Sequence, residues 1–315
     1  MKLICSACGA AEPAGPVYPP RCRCGALWSG LRGFATQRRD WMTPLWKDPA
    51  DNRITWKRED LNPTGSFKDR GAESLMDVAV RSGARELVLD SSGNAALAAA
   101  RMAAVVGLPL RLHVPRSVPQ AKLEAYRLFG ASVTAGGVRA DAADRAAKEA
   151  GERFWFSHVY HPGFVLGTRV SGEEVLAAGH DARIWVVPVG NGSLLLGLAA
   201  ALRAARATHH RLIAVQAAAC AGLRPDADHG SSRAGGIAIA DPPRRAEILE
   251  AVADTGGDVV EVSEPAIESS RQVLASRGVR VEPAAAATLA AIEVLQDRGE
   301  TGSFLGWLTG SGARD

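Results

Sequence analysis

The chain has 315 residues, 47% hydrophobic and 23% charged, with a net charge of +3. That length holds one large or two medium domains with full cores, and the composition excludes a disordered or fibrous protein. So small a net charge argues against a nucleic-acid partner, and apolar runs broken by Gly and Asn, such as "VVPVGNGSLLLGLAAAL", argue against a membrane span.

Four of the five cysteines lie within the first 24 residues. Cys5 and Cys8 form CxxC, and Cys22 and Cys24 form CxC, each pair followed by glycine. Two thiolate pairs on glycine turns can converge on a tetrahedral structural zinc, although the second pair is one residue tighter than the usual knuckle. "MKLICSACGA" is too poor in apolar residues for a signal peptide, so a cytoplasmic, reducing setting is expected. Cys220 sits in an apolar context and reads as a buried spectator. The short basic stretch "RGFATQRRDW", 32–41, is the feature that would favour nucleic acid.

From residue 53, β-rich runs alternate with Ala-rich helical stretches. "RITWKRE" predicts a strand and 66–82 a helix. "ELVLD" precedes a helix over 94–106, "LRLHVP" one over 119–129, and "ASVTAGG" one over 141–150. "RFWFSH" leads to a helix near 165–179, "RIWVVPVG" to 193–206, and "RLIAVQA" to a long Gly/Pro/Arg-rich connection, 221–245. "VVEVS" precedes a helix at 265–277, and "EPAAAATLAAIEVLQDRG" precedes a last strand, "SFLGWLTG". This alternation predicts an α/β fold with twisted, mostly parallel sheets covered by helices.

In such sheets ligands bind where strand ends turn into helix starts. Four of those turns carry unusual residues. "NPTGSFKDRGA" sets Lys68 at a helix mouth, where a capped surface helix is the plainer explanation. "LDSSGNAALAAA" places Ser91, Ser92, Gly93 and Asn94 at the next start. Gly190, Asn191, Gly192 and Ser193 follow a buried strand with neither GxGxxG nor GK[ST] spacing, which suits a monophosphate. Thr309 ends the last strand before Gly310-Ser311-Gly312. Together the four fit pyridoxal 5'-phosphate: a lysine for the aldehyde, polar contacts for the ring and a cup for the phosphate.

The motifs "NPTGSFKDRGA", "SSGN", "PVGNGSLLLG", "VEPAAAATLAAI" and "LTGSG" resemble the threonine synthase-like branch of the fold type II (tryptophan synthase β-like) pyridoxal-phosphate enzymes, nearly from end to end. The four-cysteine segment is also seen there. The resemblance implies Lys68 as the cofactor lysine flanked by Phe67, and Asn94 at the ring oxygen. It implies Gly190, Asn191, Gly192 and Ser193 at the phosphate, and Thr309 at the ring nitrogen. It further implies a homodimer acting on a small amino acid, with Ser91 to Asn94 at the substrate carboxylate. The expected organisation is a zinc-ribbon-like segment over 1–30, a large cofactor domain from 31–85 and 179–315, and a small mobile domain, 86–178.

The resemblance thins at "FSHVYHPGFVLGTRVSGEEV". Where the branch has Asn and Arg for a substrate phosphate, this chain has His161 and Phe164, and Ser311 stands where the branch often has His. A phenyl ring cannot replace a guanidinium fork. His158, His161, Lys122 or Arg169 are the candidates to compensate, although two packed rings would equally explain the histidines. The expected activity is elimination or replacement at Cβ or Cγ, with O-phosphohomoserine the leading substrate. A serine, threonine or diaminopropionate ammonia-lyase, or a β-replacement synthase, is the alternative.

Overall fold

The structure is a computed structural model that describes residues 1–35, 42–224 and 230–313. Parts of the basic stretch 32–41 and of the connection 221–245 lie outside the described residues. In chain order it runs β1 (Lys2–Ile4), β2 (Ala11–Pro13), β3 (Gly30–Arg32), β4 (Leu45–Lys47), β5 (Ile54–Lys57), α1 (Lys68–Arg81), β6 (Leu87–Asp90), α2 (Asn94–Val106), β7 (Leu110–Val114), α3 (Gln120–Leu128) and β8 (Ser132–Ala135). It continues α4 (Arg139–Glu149), β9 (Phe154–Trp155), α5 (Pro162–Ala177), β10 (Ile184–Pro188), α6 (Ser193–Ala205), β11 (Arg211–Ala217), α7 (Arg245–Asp254), β12 (Asp258–Val262), α8 (Glu264–Ser276), α9 (Pro283–Asp297) and β13 (Phe304–Trp307).

Packing divides the chain into Met1–Arg38 with Lys68–Gly167, and Arg39–Phe67 with Thr168–Asp315. The N-terminal segment and α1 thus group with the strands of 86–178. In the first unit β1 pairs antiparallel with β2 and β3, and a parallel sheet runs β8-β7-β6-β9. The face of α2 from Ala95 to Ala100 is wholly buried, and side chains this small let α1 and α2 approach closely.

The second unit holds a six-stranded sheet, β12-β11-β10-β13-β5-β4, parallel except for β4. Period-two alternation sorts its side chains. Ile184, Val186, Ile213, Val215 and Phe304 meet α8 and α9 on one face. Trp185, Val187, Leu212, Ala214, Leu305 and Trp307 meet α6 and α7 on the other. A sheet buried on both faces reads in sequence as unbroken apolar runs, and these strands do.

Some elements differ from expectation. Helix α5 starts at Pro162, ahead of 165, because proline is well suited to a first helical turn. The "RFWFSH" strand shortens to two residues, since the chain turns at Ser157, whose Oγ accepts from the Val159 and Tyr160 N–H groups. Helix α7 and the three-residue strands β1 to β4 had no readable period. No helix among the described residues is long and apolar enough to cross a membrane.

Candidate active site

The turn that delivers Lys68 is fixed by backbone bonds within the second unit. Gly65 has φ +79, a conformation side chains resist, and its N–H donates to the Asn62 carbonyl at 2.7 Å. The Phe67 N–H donates to the Thr309 carbonyl at 3.1 Å, and the Ser311 N–H donates to the Gly65 carbonyl at 2.8 Å. Two of the four expected loops, "NPTGSF" and "LTGSG", therefore meet. Phe67 packs against the core facing α6 and α7, and Thr309 is buried.

Behind this junction lies a buried polar network with no counterpart among the sequence motifs. Glu59 accepts from Thr43 Oγ1 (3.0 Å), Ser171 Oγ (2.7 Å) and Asn62 Nδ2 (2.7 Å). Trp307 Nε1 donates to Ser171 Oγ at 2.9 Å, and Lys57 Nζ donates to Glu174 at 2.5 Å and to the Thr43 carbonyl at 2.6 Å. A carboxylate without solvent needs its lone pairs filled, and these donors fill them while holding the approach to Lys68.

The loop from β10 to α6 is built for close backbone approach. A Cβ on Gly190 would fall 2.3 Å from the Gly236 carbonyl oxygen. Gly192 has φ +82, and a Cβ there would fall 2.5 Å from Ile248. No side chain caps the start of α6, whose Ser193 carbonyl accepts from Thr168 Oγ1 at 2.7 Å. A glycine turn running into an uncapped helix start presents N–H groups to an anion, so Gly190, Asn191, Gly192 and Ser193 fit a phosphate.

In the first unit Lys68 is half-buried at the start of α1. At the start of α2 the N-cap residue is Gly93, which has no side chain, and Ser91 Oγ accepts from its N–H at 3.4 Å. His158 is pushed down to about 3, first by burial, then by the positive charges of Lys68 and Arg139, so its ring is neutral. It meets Phe164 edge-on at 5.9 Å.

His161 is 1% exposed. Its Nδ1 accepts from the Gly163 N–H at 3.0 Å, closing the first turn of α5. Its ring stands against Tyr18 at 4.6 Å and Phe154 at 5.6 Å. Tyr18, from the cysteine segment, donates to the Trp155 carbonyl at 2.6 Å. Phe164 is fully buried, and Gly71 leaves room for its ring: a Cβ there would sit 2.3 Å from the ring atoms. Position 164 is thus a packing position.

The thiols of Cys5, Cys8, Cys22 and Cys24 lie within 4.8 Å of one another, with Cys5–Cys24 at 3.7 Å and Cys8–Cys22 at 3.5 Å. The Ala26 N–H first, then neighbouring thiols, bring Cys24 down to about 7. For Cys8 the Ala10 N–H pulls downward, but the other three thiols together push it up to about 12. Zinc–sulfur bonds of about 2.3 Å in a tetrahedron separate sulfurs by roughly 3.8 Å, so this donor set fits the metal. Cys220 is buried, as expected, and burial pushes its thiol up.

Residues 37–306 match the family described as pyridoxal-phosphate dependent enzyme. The chain is 33% identical to an L-threonine ammonia-lyase of Geobacter sulfurreducens over 76% of its own length and 62% of that protein's. It is 29% identical to a threonine synthase of Synechocystis, over 87% and 77%. A solved threonine deaminase from T.th. superposes with a TM-score of 0.71 at 30% identity, covering 83% of this chain and 88% of that one.

Proposed function

Because the chain belongs to the pyridoxal-phosphate dependent enzymes, we propose that it catalyses elimination or replacement at Cβ or Cγ of an amino acid. The observation that carries this is the backbone junction between the turn before Lys68 and the loop at Thr309. When bound, pyridoxal phosphate supplies an aldehyde that takes up an amine and a ring that withdraws electrons from the α-carbon.

Lys68 Nζ holds the cofactor at rest and, once displaced, takes the α-proton. Gly190, Asn191, Gly192 and Ser193 hold the phosphate, Asn94 the ring oxygen, and Thr309 the ring nitrogen. A hydroxyl at that nitrogen leaves it without the proton that a carboxylate would favour, which suits elimination over transamination. The backbone N–H groups at Ser91 to Asn94 hold the substrate carboxylate. His158, kept neutral, offers a hydrogen-bonding nitrogen near Lys68 without a second positive charge. His161 holds the start of α5, so the substrate contact in this stretch falls to His158.

Threonine synthesis from O-phosphohomoserine is the leading reading, and deamination of serine or threonine is the second, favoured by a phenyl ring at position 164. Purified chain should show a visible band, reducible by borohydride, that Lys68→Ala lacks; two equally colourless chains would refute the reading. Phosphate release from O-phosphohomoserine, against oxo-acid formation from serine or threonine, separates the two substrates. We further propose that Cys5, Cys8, Cys22 and Cys24 hold a structural zinc, giving one zinc per chain by elemental analysis and a lower melting temperature with chelator.

A further inference from the structure

Among the described residues, the stretch 156–169 has no free cation for a substrate anion. Phe164 is buried, His161 bonds its own turn, and Arg169 is held by Glu173 at 2.6 Å. Cations gather instead beyond the carboxyl ends of β7 and β8. A cavity of about 570 Å³ opens there, lined by Ser92, Pro115, Arg116, Lys122, Gly137 and Arg139 among others. The side chains of Arg116, Lys122 and Arg139 have no hydrogen-bond or ion-pair partner among the described residues.

Two helices begin on its rim. α3 starts behind Pro119 with no side-chain cap, and α4 starts behind Val138, whose N–H donates to Asp141 at 2.7 Å. Ser92 links this cavity to the loop that begins α2. Arg139 and Lys68 also act on the same ring, His158, so the cavity and the reacting lysine share a neighbourhood within the first unit.

We propose that Arg116, Lys122 and Arg139 form the subsite for a phosphate ester carried on the side chain of the amino-acid substrate. This rests on the roles given above to Lys68 and the Ser91–Asn94 loop. Two guanidinium forks and an ammonium match the three oxygens and double charge of an ester phosphate better than they match a hydroxyl. In elimination from a serine ester the Cα–H pair becomes the Cα–Cβ double bond, the Cβ–O pair leaves with the phosphate, and Lys68 Nζ takes the α-proton. From a homoserine ester a β-proton leaves as well, its C–H pair forming the Cβ–Cγ double bond as the Cγ–O pair departs with the phosphate. Cations that bind the ester also stabilise the departing phosphate.

The test titrates cofactor-loaded protein with O-phospho-L-homoserine, O-phospho-L-serine and their hydroxyl parents, by calorimetry and by the cofactor's absorbance. The esters should bind at least about tenfold tighter than the parents, and Arg116→Ala or Arg139→Ala should each remove about tenfold of that preference. Lys122→Gln should act in the same direction. Three results would overturn the subsite: esters and parents binding alike, variants weakening both classes equally, or inorganic phosphate binding as tightly as the esters, which would make it a free-anion site. A chain that loads cofactor but shows no ester preference refutes the subsite alone. A chain that never loads cofactor refutes the functional reading, and the subsite with it.

Discussion

The two sides of one parallel sheet end differently. From β9 the chain enters a corner of rings, where Tyr18, Phe154 and His161 stand against one another and a fully buried Phe164 meets His158. From β7 and β8 it enters loops that set Arg116 and Arg139 in water. Both follow strand ends, where α/β sheets keep their chemistry, yet the first holds the fold and the second is free to hold a ligand. A motif's neighbourhood is therefore not its function: the residues that stand where a substrate phosphate was expected are wall, and the charges lie two strands away.

The largest effect should come from the wall. Phe164→Ala removes a fully buried ring and should cost about 3–5 kcal/mol in urea denaturation. A loss under about 1 kcal/mol would end its assignment as a packing residue. Next is Gly71→Ala, which drives a methyl group into the same ring and should cost about 1–3 kcal/mol. Adding Phe164→Leu should recover part of that loss if the clash is its cause, and compound it if it is not.

A smaller, pH-dependent effect belongs to His158, which lies between the two ends. In the unfolded chain histidine titrates near about 6.5, whereas here it is pushed down to about 3. Below the higher value the unfolded chain binds a proton that the folded chain refuses. Its share of stability is thus complete above about 6.5 and is lost as pH falls toward the lower value. Urea midpoints across that window should slope downward with acid, and His158→Gln should flatten the slope. The smallest effect is expected at the rim: Arg116→Ala should change stability by no more than about 0.5 kcal/mol. A larger loss would make the rim structural and erase the contrast.

Sequence carried much of this where signals are local. The spacing that predicts a helix at 94–106 meets α2 residue for residue, because Gly93 and Gly107 bound an unbroken run of helix formers. Turn chemistry likewise marked the loops at Lys68, Asn94, Gly190 and Thr309. Contacts made over distance left no such trace. Tyr18 reaches a carbonyl 137 residues away, and nothing near it in the chain announces that partner. The same holds for Glu59 and Ser171, 112 residues apart. Gly71 looked like one more small helical residue until Phe164 filled its vacant side. Arg116 sits on a loop and Arg139 at the first residue of α4, ahead of the helix read from the sequence at 141, and only the cavity joins them.

Strand β13 separates β10 from β5, pairing Phe304 with Ile184 on one side and Ile54 on the other. During synthesis this fixes an order of events. β5, whose four residues are all buried in the finished sheet, leaves the ribosome with only the short β4 beside it. Its second neighbour is made some 250 residues later. Until then a strand destined for burial waits with one edge open, the kind of edge that invites pairing with another chain. The nascent protein thus depends on shelter for that strand, and slowing translation between β5 and β13 should lower the yield of soluble chain.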